Sequence, residues 1–313
     1  MGRNKPNRVW TTYENNNNSN QLMNTQDVNP NWTGGADLRL GRYFACRRWA
    51  LELGFWSVDN FDATSSQTHA NGVSSPLQFN DLEFAVGDPV QDYFDSAAEH
   101  RLSRTNELYN IELNIIHSNL TTSSNGVWSH RMLVGVRYFK FDEDLTFATL
   151  DQGGTWGGNG GLDEVTLRSS VNNSLVGVQL GCLFERPLGH RARFFITPKV
   201  GVYNNHIENN FDLRRGDGTA AKPSAFSNVS GSYPVESSTD VVSFLTEIDT
   251  GIDWQFAPNW TVYGGYRVVV ISGIGLSDNQ IPQFIVDIPE IANIDTNGEL
   301  VLQGAFAGIS RRF

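Results

Sequence analysis

The sequence predicts an all-β protein, an antiparallel up-and-down transmembrane β-barrel of about ten strands, within a range of about eight to twelve. Three observations predict it. Apolar residues recur at every second position over long stretches. The connections between those stretches alternate short and long. The 313-residue chain holds no run of the ~18 apolar residues with which a helix crosses a bilayer.

Composition narrows the class further. Apolar residues make up 39% of the chain and charged residues only 18%, below the usual ~25%. Lys plus Arg total 23 against 34 Asp plus Glu, a formal charge of −11. That balance excludes a nucleic-acid binder, which needs a basic surface. Glycines number 30 and aromatics reach 12%, a composition common to β-barrels and β-sandwiches.

The first 34 residues read as a polar segment with a partial strand at 7–13 and a polar run at Asn15 to Asn18. The start is basic and lacks the apolar stretch of a signal peptide, so a truncated beginning is expected. Residues 35–313 form the barrel. Strands are predicted at 35–44 and 47–58, where Trp49, Leu51, Leu53 and Phe55 oppose Ala50, Glu52 and Gly54. A tight turn at 45–47 joins them. A long excursion, 59–103, follows, and its segment 77–86 could add a strand. Strand 104–118 sets Tyr109, Ile111, Leu113 and Ile115 against Asn110, Glu112 and Asn114. After the shorter connection 119–127 come strand 128–142 and the long loop 143–163. That loop carries a Gly-rich run, 153–161, with no Gly-Lys-Ser/Thr after it, so it is an external loop and not a phosphate loop.

Strand 164–185 then turns tightly at 186–189 into strand 190–212. Loop 213–237 contains Arg215-Gly216-Asp217, a tripeptide common by chance. Strand 238–256 shows the clearest alternation, with Val242, Phe244, Ile248, Ile252, Trp254 and Phe256 on one face and Glu247, Asp249 and Asp253 on the other. Residues 257–259 turn it into strand 260–276. Loop 277–298 is unusually apolar at 281–294, as if folding over the barrel mouth or forming a short helix. Strand 299–313 closes the series. The visible strands number nine. A single-chain bacterial barrel normally has an even number, so a tenth is expected before residue 35, with 7–13 as its candidate.

Alternation alone does not say which face points inward. Two features favour apolar-outward. Phe44, Trp49, Phe184, Phe194, Trp254, Phe256 and Trp260 gather beside the tight turns, as an interfacial aromatic girdle does. The opposite face carries charges of both signs together with many glycines, as a crowded lumen would. The candidate lumen residues are Glu52, Glu112, Arg137, Glu185, Lys199, Glu247, Asp249, Asp253 and Arg267. Structural ion pairing of Lys199 and Arg267 with the acids of 238–256 is the expected role, because a charge in a narrow barrel needs a partner. Asp37 and Arg39 lie on the same face. If ions pass, the acidic excess favours cations.

The six histidines show no metal-binding spacing and no metal or cofactor is expected. Cys46 lies in the tight turn 45–47 and Cys182 on the apolar face of strand 164–185, whose places in a meander are far apart, so a disulfide is not expected.

The last strand ends in Phe313, preceded by Ile309, Ala307 and Ala305 at alternate positions, like the signal read by the barrel-assembly machinery. Arg311 departs from that pattern. The stretches LRLGRYFACRRWALELGFWSVDNF, ELYNIELNIIH, GVRYFKFDEDLTF, LVGVQLGCLFE, TPKVGVYNN and DVVSFLTEIDTGIDWQFAPNWTVYGGYRVV resemble the seventh putative beta-barrel porin family of bacterial outer-membrane proteins. The resemblance covers most of 35–313. It implies an outer-membrane barrel and a porin, and supplies no substrate or catalytic residues.

The expectation is thus a non-enzymatic outer-membrane barrel with a narrow, largely filled, charged lumen. Tight turns face the periplasm and long loops face outside. Its partners are membrane lipids, the assembly machinery and small ions or solutes. Three alternatives stay open: a non-conducting scaffold presenting loops 59–103 and 213–237, an outer-membrane enzyme with a loop-rim site, and a soluble β-domain.

Overall fold

The structure, a computed structural model, describes residues 1–44, 48–118, 128–225 and 227–313. The predicted turn 45–47 with Cys46, and the connection 119–127, lie outside the described residues.

Nine long strands dominate. They are β4 (Gly35–Phe44), β5 (Trp49–Ser74), β8 (Ala97–Ser118), β9 (Ser129–Leu150), β10 (Glu164–Pro187), β11 (Ala192–Arg215), β13 (Val235–Ala257), β14 (Trp260–Ile274) and β15 (Gly298–Arg311). Each pairs antiparallel with its predecessor and successor in this series. Six short strands complete the set: β1 (Gly2–Arg3), β2 (Trp10–Glu14), β3 (Asn17–Asn24), β6 (Leu82–Ala85), β7 (Asp88–Pro89) and β12 (Lys222–Pro223). Two five-residue helices are present, α1 (Val90–Phe94) and α2 (Ile288–Ala292).

Several expectations need correction. The described residues hold fifteen strands instead of about ten, because segments read as loop contain short pairings. The sheet rolls up but does not close, since its outer strands β4 and β15 are not paired to each other. At one end of that seam β1 pairs with β15, through Gly2 with Gln303 and Arg3 with Leu302. Met1 there exchanges backbone hydrogen bonds with Thr33, just before β4. Segment 7–13 is not the closing strand. Its residues enter β2, which pairs with β3 and with the far end of β5. Segment 77–86 contributes β6 to a separate sheet, ordered β12-β6-β7.

The long excursion also shrinks. Strand β5 runs on to Ser74 and β8 begins at Ala97, leaving only 75–96 between them. The reason is a bulge. Val58 faces Leu108 and Phe61 faces Asn106, so Asp59 and Asn60 oppose the single residue Glu107. One extra residue reverses the side-chain phase of β5. Trp56 and Val58 point inward below the bulge, whereas Phe61, Ala63 and Ser65 do so above it. The alternation breaks there, which makes the strand look finished in the sequence.

Short connections, 188–191 and 258–259, lie at one end of the rolled sheet, the turn end. The opposite, loop end is built differently. There the inner faces of the strands carry Leu145, Phe147, Val165, Leu167, Phe211 and Leu213, all nearly fully buried. Residues of the segments between the long strands and before β4 fill the space between them, including Met23, Phe79, Phe94, Tyr233, Ile285 and Ile291. Phe79 and Phe94 stack at 3.8 Å. The apolar segment 281–294 thus does both things expected of it, covering the mouth and forming α2.

Candidate functional site

The lower interior is lined by charge. Four strands send one charged residue each to a common point: Glu112 from β8, Arg137 from β9, Lys199 from β11 and Glu247 from β13. Period-2 geometry puts them all on the inner face. Arg137 donates to Glu112 at 2.9 Å and to Glu247 at 2.8 Å. Lys199 Nζ donates to both Glu112 oxygens at 2.8 and 3.0 Å and to Glu247 at 3.0 Å. Gln179 of β10 adds bonds of 2.7 Å to Glu112 and to Asn114. None of the four charged residues exceeds 2% exposure. Acid and base alternate around a closed ring, so each charge touches two of opposite sign.

A second quartet ties the edge strand to the far side. Arg267 of β14 grips Asp249 of β13 with both arms, at 2.7 and 2.8 Å, and reaches Asp37 of β4 at 2.9 Å. Arg39 of β4 bonds Asp249 at 3.2 Å and pairs with Asp37. The Arg267 guanidinium also lies over the Trp56 ring, 5.2 Å from its centre. These bonds cross the interior and hold β4 in place although it does not pair with β15.

A third quartet sits near the turn end. Arg131 pairs with Glu185 at 2.9 Å, and Arg193 joins Glu185 at 3.3 Å and Asp253 at 3.0 Å. A fourth closes the lower interior beneath the loop cap. Arg104 of β8 bonds Glu143 of β9 and Asp278 of the 275–297 loop, and Arg3 bonds Glu143 as well. Ser277 donates its backbone N–H to Glu143 at 2.8 Å. Burial, opposed by Arg104, pushes the Asp278 carboxyl up to about 6.

The nine predicted lumen residues therefore separate. Glu112, Arg137, Lys199 and Glu247 meet. Asp249 and Arg267 meet in the second layer, Glu185 and Asp253 in the third. Glu52 is half-buried and makes no ion pair among the described residues. The acidic excess expected of the lumen is absent from these layers, each having two acids and two bases. Sequence reasoning missed Arg104 and Glu143. Both share strand parity with predicted neighbours, Glu112 and Arg137, but sat at or just beyond the ends assigned to those strands.

Glycine makes room for these layers. A Cβ at Gly54 would stand 2.9 Å from Glu112 Cγ, and one at Gly181 3.0 Å from Lys199 Cγ. Larger residues at these points would displace the ring.

The outer face of the same strands is apolar. Val176, Val178 and Leu180 on β10, Val200 and Val202 on β11, and Val242 and Phe244 on β13 are all exposed, by 48–63%. Phe44, Trp49, Phe184, Phe194, Trp254, Phe256 and Trp260 ring the turn end of this band, five of them strongly exposed. Cys182 lies on the outer face, half-buried and unpaired. Phe313 is fully exposed just past β15. So broad an apolar exterior around a charged interior is the reverse of a water-soluble barrel.

An antiparallel rolled sheet, apolar outside and ion-paired inside, defines the class of membrane β-barrels. The Putative beta barrel porin-7 family model matches residues 12–298, and the chain belongs to that family. No curated protein and no solved structure matches it. Among the described residues no helix is long and apolar enough to cross a membrane, and no cluster of three or more His, Cys, Asp or Glu could hold a metal ion.

Proposed function

We propose that the protein is a non-catalytic outer-membrane barrel that is shut to solutes in this conformation and works by presenting its loop end outside the cell. The tight turns then face the periplasm, and the strand ending near Phe313 engages the barrel-assembly machinery. The observation that carries this reading is the Glu112–Arg137–Glu247–Lys199 ring. It spans the interior with charges held at 2.8–3.0 Å. Passage of an ion requires these pairs to part, and an unpaired charge in a low-dielectric interior is strongly disfavoured. The apolar loop cap above supports the same reading.

Planar-bilayer recording on the refolded chain tests it. The expected result is no current step above background. Steady discrete steps from the wild type would overturn it. The second reading is a narrow pathway that opens when the cap moves, favoured by the charged lining itself. In that case Asp249→Asn with Asp253→Asn shifts the reversal potential of whatever current appears, and an unchanged potential removes both residues from the path.

A further inference from the structure

The arginines of the turn end differ from those elsewhere. At the loop end all but Arg8, which bonds the Gln26 amide oxygen, are matched with acids: Arg101 with Glu99, Arg168 with Asp144, Arg214 with Asp212, and Arg215 with Asp88 and Asp217. At the turn end the acids Glu185 and Asp253 are taken by the inward-facing Arg131 and Arg193. Arg42, Arg48, Arg186, Arg191, Arg311 and Arg312 are exposed and make no ion pair among the described residues. Segments 45–47 and 119–127 contain no Asp or Glu that could meet them. The turn end is therefore an uncompensated cationic rim on a chain whose net charge is −11.

The rim is level with the aromatic girdle. Arg42 follows Leu40 and precedes Phe44 on the outer face of β4. Arg186 is the register partner of Phe194. The Arg311 guanidinium lies over the Trp260 ring at 5.0 Å and near the Phe313 ring at 4.8 Å. Aromatic rings of this kind sit where hydrocarbon gives way to headgroups. The guanidiniums beside them then stand at phosphate depth, and arginine suits phosphate by its paired N–H donors. Between the 188–191 and 258–259 turns lies a groove of about 290 Å³, lined in part by His190, Arg191, Gln255, Thr261 and Arg312 and by the Arg193–Asp253 ion pair, which leaves Arg191 and Arg312 as its unmatched charges.

We propose that the turn end binds anionic phospholipid. The groove takes one phosphate headgroup beside Arg191 and Arg312, while Arg42, Arg48, Arg186 and Arg311 hold the surrounding leaflet. This rests on the membrane-barrel reading given above. It adds that the lipid contact is charge-selective and confined to one end.

The test reconstitutes the full chain in vesicles of phosphatidylcholine alone and of phosphatidylcholine mixed with phosphatidylglycerol. Heat-modifiable gel migration reports barrel folding in both. The lipid that stays with the protein after mild detergent extraction is then quantified by mass spectrometry. Phosphatidylglycerol is expected to be enriched roughly five-fold or more over the bulk mixture, and the enrichment to fall at high salt. Arg42→Gln, Arg48→Gln, Arg186→Gln and Arg191→Gln combined should return the ratio to that of the bulk. The four matching Lys replacements should keep most of it, which separates charge from folding defects. Bulk-like lipid around a folded wild type would overturn the proposal and assign the rim to a soluble anionic partner. Undiminished enrichment in the folded Gln variant would overturn it too. A chain that migrates unfolded in both lipids would defeat the barrel reading instead, and this proposal with it.

Discussion

The lower and upper halves of the same strands are built to opposite rules. On β10, Val176, Val178 and Leu180 point outward and are about 60% exposed, while Leu175, Val171, Leu167 and Val165 point inward and are buried. On β11, Val200 and Val202 face out, whereas Tyr203, Ile207, Phe211 and Leu213 face in. The pleat continues unbroken through β10 and β11. What changes is which parity is apolar, and it changes once per strand. Above the switch the outer face bears Lys140, Asp142 and Asp144 on β9, and Glu208 and Asp212 on β11. Alternation thus records the solvent on each side. Lipid outside demands apolar residues outside, and water outside returns them to the core.

The largest break in this contrast should come from the lower interior. Lys199→Met leaves Glu112 and Glu247 without their shared ammonium group and should cost ~3–5 kcal/mol of stability. Adding Glu247→Gln should recover much of that loss. Urea unfolding in vesicles measures both, and a single variant as stable as wild type would show that the ring is not structural.

A paired substitution sharpens the contrast directly. Leu180→Arg places charge on the lower outer face and should cost ~2–4 kcal/mol if that face meets hydrocarbon. Ser170→Arg, ten positions earlier on the same strand with the same parity, should stay within about 0.5 kcal/mol. Equal costs would place both sites in one solvent.

The smallest effect concerns the joint between the halves. Asp278 anchors the cap loop to Arg104, with its carboxyl raised to about 6 from an ordinary 3.8. Between those values the folded protein binds more protons at this site than the unfolded chain. Stability contributed there therefore falls as pH rises through the window and is greatest near its acid end. Protease resistance of the 275–297 loop should be higher at pH ~5 than at pH ~7. Asp278→Asn should flatten that difference, and parallel pH profiles for the two proteins would refute the assignment.

Much of the lower half was legible because one constraint, period 2 with a lipid face, fixes both sides of a strand at once. The bounds predicted for strand 35–44 are those of β4, and the charged face predicted for 238–256 contains Glu247, Asp249 and Asp253. The upper half was less so. On β9 the sequence Phe139 to Phe147 alternates as regularly as anything below it, but with its apolar parity switched. A reader following one apolar face sees the strand end at the switch. The pairings of β2 with the end of β5 and of β12 with β6 join segments distant in the chain, which no local pattern encodes. The ring partners were legible by parity alone. Their grouping into quartets was not, since it depends on how far each strand is staggered against the next.

The bulge at Asp59 and Asn60 achieves on β5 by chain length what β10 and β11 achieve by residue choice. Below it the odd-numbered residues Trp49, Leu51, Leu53 and Phe55 face out, and above it the odd-numbered Phe61 faces in. The outer part of β5 is thus in a different reading frame from the inner part, with that single spare residue as the frameshift. Loss of either Asp59 or Asn60 would turn the positions from Phe61 to Thr68, where a second register shift intervenes, to the wrong side, although no side chain had been replaced. Descendants of this gene should therefore accept many substitutions at these two sites and very few changes in length.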